Sequence, residues 1–119
     1  MKAKYIYILK LESKKWYIGI SENIENRINN HIKGKGSRWT NKYKPLKLIK
    51  SYKIKDLHDE DKVTIEYMEK YGIINVRGGT FCECKFSKFD TNKVFLLISL
   101  FKLIFNVSEG FDLFEAELR

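Results

Sequence analysis

Tyr5-Ile-Tyr-Ile-Leu-Lys-Leu11, then the polar stretch Glu12-Ser-Lys-Lys15, then Trp16-Tyr-Ile-Gly-Ile20, is the part of the chain on which the fold turns. Both outer runs are rich in β-branched and aromatic residues, and a short polar break between two such runs predicts a β-hairpin. The two-residue period of a strand places Tyr5, Tyr7 and Leu9 on one face. It likewise puts Tyr17 and Gly19 on one face of the adjoining strand. A glycine inside a strand weakens it and often marks a close approach by another group.

Outward from the hairpin, Ser21 reads as a helix N-cap, and Glu22 and Glu25 suit the positive end of a helix. Ile24, Ile28 and Ile32 recur at i, i+4 and i+8 until Gly34, which predicts a helix over about residues 22–33. A loop from Gly34 to Pro45 follows, then a strand from about Leu46 to Ile54 with Leu46, Leu48, Tyr52 and Ile54 on one face. Asp56 and Asp59 open a second helix that Gly72 closes. Val76-Arg-Gly-Gly79 reads as a turn, and Cys82 and Cys84 lie in a short extended stretch. A third helix, about Thr91 to Val107, is apolar on most sides, with Asn92, Ser99, Lys102 and Asn106 as a narrow polar stripe. It is expected to pack on the sheet or on another helix, with a homodimer contact or a membrane-surface role as the alternatives. Residues 109–119 form an acidic tail.

At 119 residues the chain is sized for one core, since separate cores become usual only beyond about 250 residues. Hydrophobic residues at 44% and charged residues at 32% argue against disorder and fibrous repeats. The net charge of +8 points to a polyanionic partner and disfavours enzymes of cationic substrates. That charge is concentrated early. Residues 1–55 carry fifteen basic and three acidic side chains, a balance of +12, whereas residues 56–119 carry eight and twelve, a balance of −4. The two cysteines are too close for an ordinary disulfide and lack a second ligand pair for zinc, which suits reduced thiols. The chargeless apolar run Val94 to Phe101 is short of the roughly 20 residues of a membrane span. The N-terminus lacks the pattern of a secretory signal. A soluble, intracellular protein with no membrane partner is the expectation.

Several polar side chains are aimed where apolar ones belong. On a helical wheel Arg27 lies about 60° from Ile24, and His31 only about 20° from it on the same side. A lone histidine there is ordinarily a hydrogen-bonded, half-buried side chain and a lone arginine a snorkelling cation. The two together, one turn apart beside the sheet, ask for a shared partner. On the second helix, Val63, Thr64, Tyr67, Met68 and Tyr71 fall within about 80° of Glu60, whereas Glu66 and Glu69 point about 120° and 180° away. Glu60 thus faces inward, although a carboxylate in a first turn is also explained by the helix dipole. Phenol, guanidinium, imidazole and carboxylate together are a set that a metal-assisted phosphodiester hydrolase could use.

Tyr5-Ile6-Tyr7, then Tyr17-Ile18-Gly19, Arg27, His31 and an acidic helix, in that order, resemble the GIY-YIG nuclease superfamily. The resemblance covers residues 4–79. Gly36-Ser-Arg-Trp-Thr and Tyr71-Gly-Ile-Ile-Asn-Val-Arg-Gly-Gly79 also look like short stand-alone members, including those of large DNA viruses. In the first motif Tyr5 replaces a glycine. That glycine supplies no reacting atom, so the replacement bears on the fit around the hairpin.

The resemblance implies an α/β (α+β) fold: a small three-stranded antiparallel sheet flanked by helices, with residues 1–89 as the nuclease domain. Residues 90–119 would add a C-terminal helix and acidic tail packed on the same domain. It implies a metal-dependent DNA endonuclease, nicking or structure-specific, that takes one divalent cation, Mg²⁺ or alternatively Mn²⁺. An inactive nucleic-acid-binding module of the same fold is the rival reading. Carried over by position, Glu60 would bind the cation, Tyr7 would be the general base and Tyr17 its assistant. Arg27 would neutralise the scissile phosphate and His31 would orient or relay a proton. From their own chemistry, Lys35, Arg38, Lys42 and Lys44 can neutralise phosphates, and Arg77 is a further candidate contact. Trp39 is either a base-stacking platform or the core anchor of its loop. The expected partner is DNA, with RNA as the alternative.

Overall fold

The computed structural model describes residues 3–56, 58–82 and 88–105. In chain order it contains β1 (Tyr5–Leu11), β2 (Trp16–Ser21), α1 (Ile24–Ile32), α2 (Arg38–Lys42) and β3 (Pro45–Lys53). These are followed by α3 (Asp59–Tyr71), β4 (Val76–Gly78) and α4 (Lys88–Phe105). The chain divides into two compact units between residues 85 and 86.

β1 and β2 form the expected hairpin, joined through a short 3-10 turn at Glu12–Lys14. The sheet order is β3-β1-β2-β4. β1 is antiparallel to both β2 and β3, while β4 runs parallel to β2. The sheet is therefore four-stranded and mixed, not three-stranded and antiparallel. The added strand is Val76-Arg-Gly78, whose glycines had suggested a turn. It lies beside Trp16, Tyr17 and Ile18, and Val76 is fully buried there. Reaching a parallel position requires a crossover, and α3 supplies it.

Each face of the sheet is covered by a different part of the chain. Tyr7, Leu9, Leu11 and Tyr17 form one core with Trp39, against which Ile24 and Ile28 of α1 and Tyr43 pack. Trp16, on the opposite pleat from Tyr17, stacks on Tyr71 and meets Tyr67, so α3 covers the other face.

Local chemistry adjusts the expected boundaries. Ser21 ends β2, and the cap of α1 is Asn23, whose side chain accepts from the Asn26 N–H. Ile32 is 57% exposed and His31 fully buried. A residue at i+7 lies nearer the Ile24 stripe than one at i+8, so the imidazole takes the inward place. Inside the expected loop, Ser37 starts the short helix α2 through a reciprocal cap with Thr40. In β3, Leu46 and Leu48 are exposed because the strand is at the sheet edge and its register with β1 is interrupted twice. Gly72 closes α3 as expected.

In the second unit, α4 begins three residues before its expected start. Val94 and Ile98 are buried one turn apart, and Phe95, Leu96, Leu97, Leu100 and Leu103 are exposed. Among the described residues no helix is long and apolar enough to cross a membrane. Cys82 is a free, exposed thiol, while Cys84 and the acidic tail lie outside the described residues.

Candidate active site

β1 and β2 carry the two phenols. Tyr7 pairs with Gly19 across the hairpin, and Tyr17 with Leu9, so the phenols stand diagonally on one face with ring centroids 6.2 Å apart. A Cβ on Gly19 would run into the Cζ and hydroxyl of Tyr7. The glycine is what lets that ring lie flat across β2.

α1 brings the two nitrogen bases to the same face. His31 Nε2 lies 2.8 Å from Tyr7 Oη, and its ring meets Tyr17 edge-on at 5.0 Å. Its other nitrogen, Nδ1, lies 2.7 Å from Thr40 Oγ1. Arg27, half-buried one turn earlier, stands close enough for its charge to act on both phenols. The inward face anticipated for α1 is thus occupied by the imidazole and the guanidinium, both directed at the hairpin tyrosines.

Burial sets the electrostatics. It pushes the Tyr7 phenol well above its ordinary range, aided by the charge of Tyr17 and opposed by Arg27. Tyr17 is raised for the same leading reason and is likewise held back by Arg27. His31 is lowered to about 4 by burial and by the Arg27 charge, so at neutral pH it is an uncharged imidazole. The resting site therefore holds protonated phenols, a neutral histidine and a charged arginine.

Glu60, in the first turn of α3, is half-buried, and its charge is felt by both phenols. Burial raises its carboxyl, the neighbouring Asp61 raises it further, and the Gly79 N–H opposes both through a hydrogen bond. Asp61 accepts from the backbone N–H and the hydroxyl of Thr80, tying down the segment that carries Gly79. Glu69 is exposed on the far side of α3, as its phase requires.

The basic residues separate into two groups. Lys35, Arg38, Lys42 and Lys44 are exposed on and around α2. Lys44 Nζ donates to Asn41, and Lys42 Nζ stands 5.4 Å from the centre of the Tyr43 ring. Arg77 is placed differently from the sequence expectation, and Trp39 takes the second of its two expected roles, the core anchor. Each is 2% exposed; the guanidinium lies 4.4 Å from the Trp39 ring centre and donates to the Ile73 and Val76 carbonyls. Trp39 Nε1 donates to the Trp16 carbonyl. Stacked on each other and hydrogen-bonded to backbone, these two brace the fold and offer no surface to a nucleic acid.

Sequence reasoning quoted Gly36-Ser-Arg-Trp-Thr40 as part of the resemblance but gave Gly36 and Thr40 no role. Thr40 is fully buried against His31, and a Cβ on Gly36 would collide with His31 Nδ1. Within that stretch, Ser37-x-x-Thr40 is a capping pattern that accounts for a helix start but not for what the threonine hydroxyl touches.

On one face the small mixed sheet gathers paired phenols, an imidazole and a guanidinium, and α3 carries a half-buried carboxylate whose charge reaches both phenols, a set that a nuclease-type domain could use. The family model described as the GIY-YIG catalytic domain matches residues 3–78, and the chain belongs to that family. It is 26% identical over 84 residues to the UPF0213 protein BH0048 of Halalkalibacterium halodurans, spanning 65% of this chain and 87% of that one. It is 40% identical over 50 residues to a UPF0213 protein of Syntrophus aciditrophicus, covering 41% of this chain and 58% of the relative. It is 37% identical over 49 residues to the UPF0213 protein SH2523 of Staphylococcus haemolyticus, covering 41% and 60%. No solved structure matches the chain. Tyr5, which departs from the family's first motif, stands partly exposed opposite Ser21 and Lys53 and crowds no core position.

Proposed function

We propose that the chain is a metal-dependent DNA endonuclease that hydrolyses phosphodiester bonds, nicking one strand per encounter or acting on structured DNA. The observation that carries this reading is Tyr7 Oη, held 2.8 Å from Nε2 of a neutral His31 and within reach of the Arg27 charge.

In the reaction, Arg27 receives a non-bridging oxygen of the scissile phosphate and stabilises the charge that grows there. Tyr7 takes a proton from the attacking water while passing its own to His31 Nε2. No free tyrosinate is needed, which matters for a phenol raised so far by burial. The substrate's negative charge offsets that of Arg27, which is one of the two causes holding His31 down, so the imidazole becomes a better acceptor once DNA is bound. Water oxygen bonds to phosphorus, the bond to the 3′ oxygen breaks, and the proton held on His31 returns to the leaving group through Tyr7 or solvent. The products are a 5′ phosphate and a 3′ hydroxyl.

Glu60 suits a divalent cation, because burial and the Asp61 charge raise its carboxyl and a cation would relieve both costs. Among the described residues no three His, Cys, Asp or Glu side chains cluster as a metal cage. One carboxylate completed by phosphate oxygens and water is a Mg²⁺-like site, which Mn²⁺ could also fill. When bound, such a cation supplies Lewis-acid stabilisation of the leaving 3′ oxygen. The exposed Lys35, Arg38, Lys42 and Lys44 hold the DNA backbone.

Purified protein incubated with supercoiled plasmid and with branched DNA, in Mg²⁺ or in EDTA, tests the reading. Metal-dependent nicking supports it. Salt-sensitive binding without cleavage of any substrate would leave a binding module, and cleavage confined to RNA would move the substrate class.

A further inference from the structure

Of the proton assignments that the hydrogen bonds around His31 allow, one gives the buried Tyr7 hydroxyl an acceptor. Arg27 has only donors, so among the described residues the acceptor that meets the Tyr7 hydroxyl proton is His31 Nε2, at 2.8 Å. If Nε2 accepts, a neutral imidazole carries its proton on Nδ1, and Nδ1–H faces Thr40 Oγ1 at 2.7 Å. A threonine hydroxyl offers one proton and two lone pairs. The Thr40 proton goes to the Ser37 carbonyl at 3.2 Å or to Ser37 Oγ at 3.1 Å, and its lone pairs take the His31 Nδ1–H and the Ser37 N–H, the latter also at 3.2 Å. The Tyr7, His31 and Thr40 protons each then have an acceptor, and among the described residues none of the buried side-chain polar atoms lacks a partner.

From this the geometry points to Thr40 as a positioning residue that fixes His31 in the Nδ1–H tautomer and so keeps the Nε2 lone pair on Tyr7. The segment is built for it. Ser37 Oγ accepts from the Thr40 N–H and locks the threonine into the first turn of α2. Gly36 leaves the backbone bare where it crosses the imidazole. Trp39, the preceding residue, anchors that turn in the sheet core. The groups meeting His31 are Tyr7 from β1, Tyr17 from β2, Thr40 from α2, and Arg27 from its own helix. Of these only Arg27 is charged at neutral pH, and it disfavours a second cation beside it. Thr40 touches no reacting atom and acts through His31. The catalytic consequence rests on the nuclease reading, whereas the tautomer does not.

The test measures both. The chain has two histidines, so a His58→Gln background isolates the His31 signals. Two-bond ¹H–¹⁵N correlations of the folded protein distinguish Nδ1–H from Nε2–H. The expected result is Nδ1–H in the parent and in Thr40→Ser, and a switch toward Nε2–H in Thr40→Val, which removes the acceptor at nearly constant volume. Cleavage should fall by about 10²-fold or more in Thr40→Val, because misdirecting a proton-accepting imidazole costs on that order. Raising the pH should not restore it, and Thr40→Ser should keep most of it. An Nε2–H tautomer in the parent overturns the proposal, as does an unchanged tautomer in folded Thr40→Val, whether or not DNA is cut. If Thr40→Val does not fold, the parent and Thr40→Ser decide, since both must be Nδ1–H. An Nδ1–H parent that cuts no nucleic acid leaves Thr40 in its role and removes the nuclease reading instead.

Discussion

At Arg27 and Glu60 the proposed chemistry depends on charge, and neither side chain belongs to the apolar core. Arg27→Ala and Glu60→Gln are each expected to lower cleavage by at least about 10²–10³-fold, because each removes charge stabilisation in the transition state. DNA affinity and thermal stability should stay near those of the parent. Retained activity in Glu60→Gln, combined with loss in Glu66→Gln, would mean that the wrong carboxylate was chosen. Gly19→Ala acts by crowding. The new methyl meets the Tyr7 ring, which has to leave its place beside His31, and overpacking of this kind costs about 1–3 kcal/mol. Urea denaturation and single-turnover cleavage should both register it. His31 links the site to pH. Its folded value is about 4 against 6.5 for the free side chain, so between those limits the unfolded chain binds more protons. Stability is therefore expected to fall as the pH is lowered from 6.5 toward 4. Glu60, raised in the fold, works in the opposite direction across the carboxylate range. The denaturation midpoint is best followed in Glu60→Gln, where a midpoint flat over this window would contradict a neutral, buried imidazole.

Among the elements, α2 has two roles that its sequence ran together. One face holds Trp39 and Thr40 inside, and the other presents Arg38 and Lys42. Lys42→Ala should weaken DNA binding across sequences and reduce the salt slope by about one phosphate contact, measured by titration at several ionic strengths. An unchanged slope would place the DNA elsewhere. The alternation of β1 and β2 made the phenols and Gly19 legible in advance, and the α1 wheel did the same for Arg27 and His31. In each case several residues repeat a period. Thr40 had no period to belong to, because its partner is nine positions back and a five-residue helix shows no stripe. Arg77 misled for a different reason. Charged residues are usually exposed, and only the fold reveals the indole face and the backbone carbonyls that let this one be buried. β4 was hidden because three residues ending in glycine look like a turn until the chain on either side is known to return beside β2.

For the molecule as a whole, the sheet joins regions far apart in sequence. Val76 is fully buried where β4 meets β2, and Val76→Ala should cost about 1–3 kcal/mol in chemical denaturation through the cavity it leaves. A negligible change would mean that this strand contributes little to the fold. The charge asymmetry also becomes geometrical. The strongly basic early half supplies the hairpin, α1, α2 and β3, whereas the acidic half supplies the helix that carries Glu60. In the proposed function, the cationic grip and the carboxylate would thus approach the reacting groups from separate stretches of chain.

The parallel seam between residues 16–18 and 76–78 has a kinetic corollary. Closing so long a loop is entropically slow, whereas the neighbouring hairpin and α1 can form from local contacts. During synthesis the tyrosines, Arg27 and His31 should therefore assemble while Glu60 is still undocked, and the proposed nuclease activity would emerge only with the last step of folding. On that reading a nascent chain would be harmless to nearby DNA until that seam had closed.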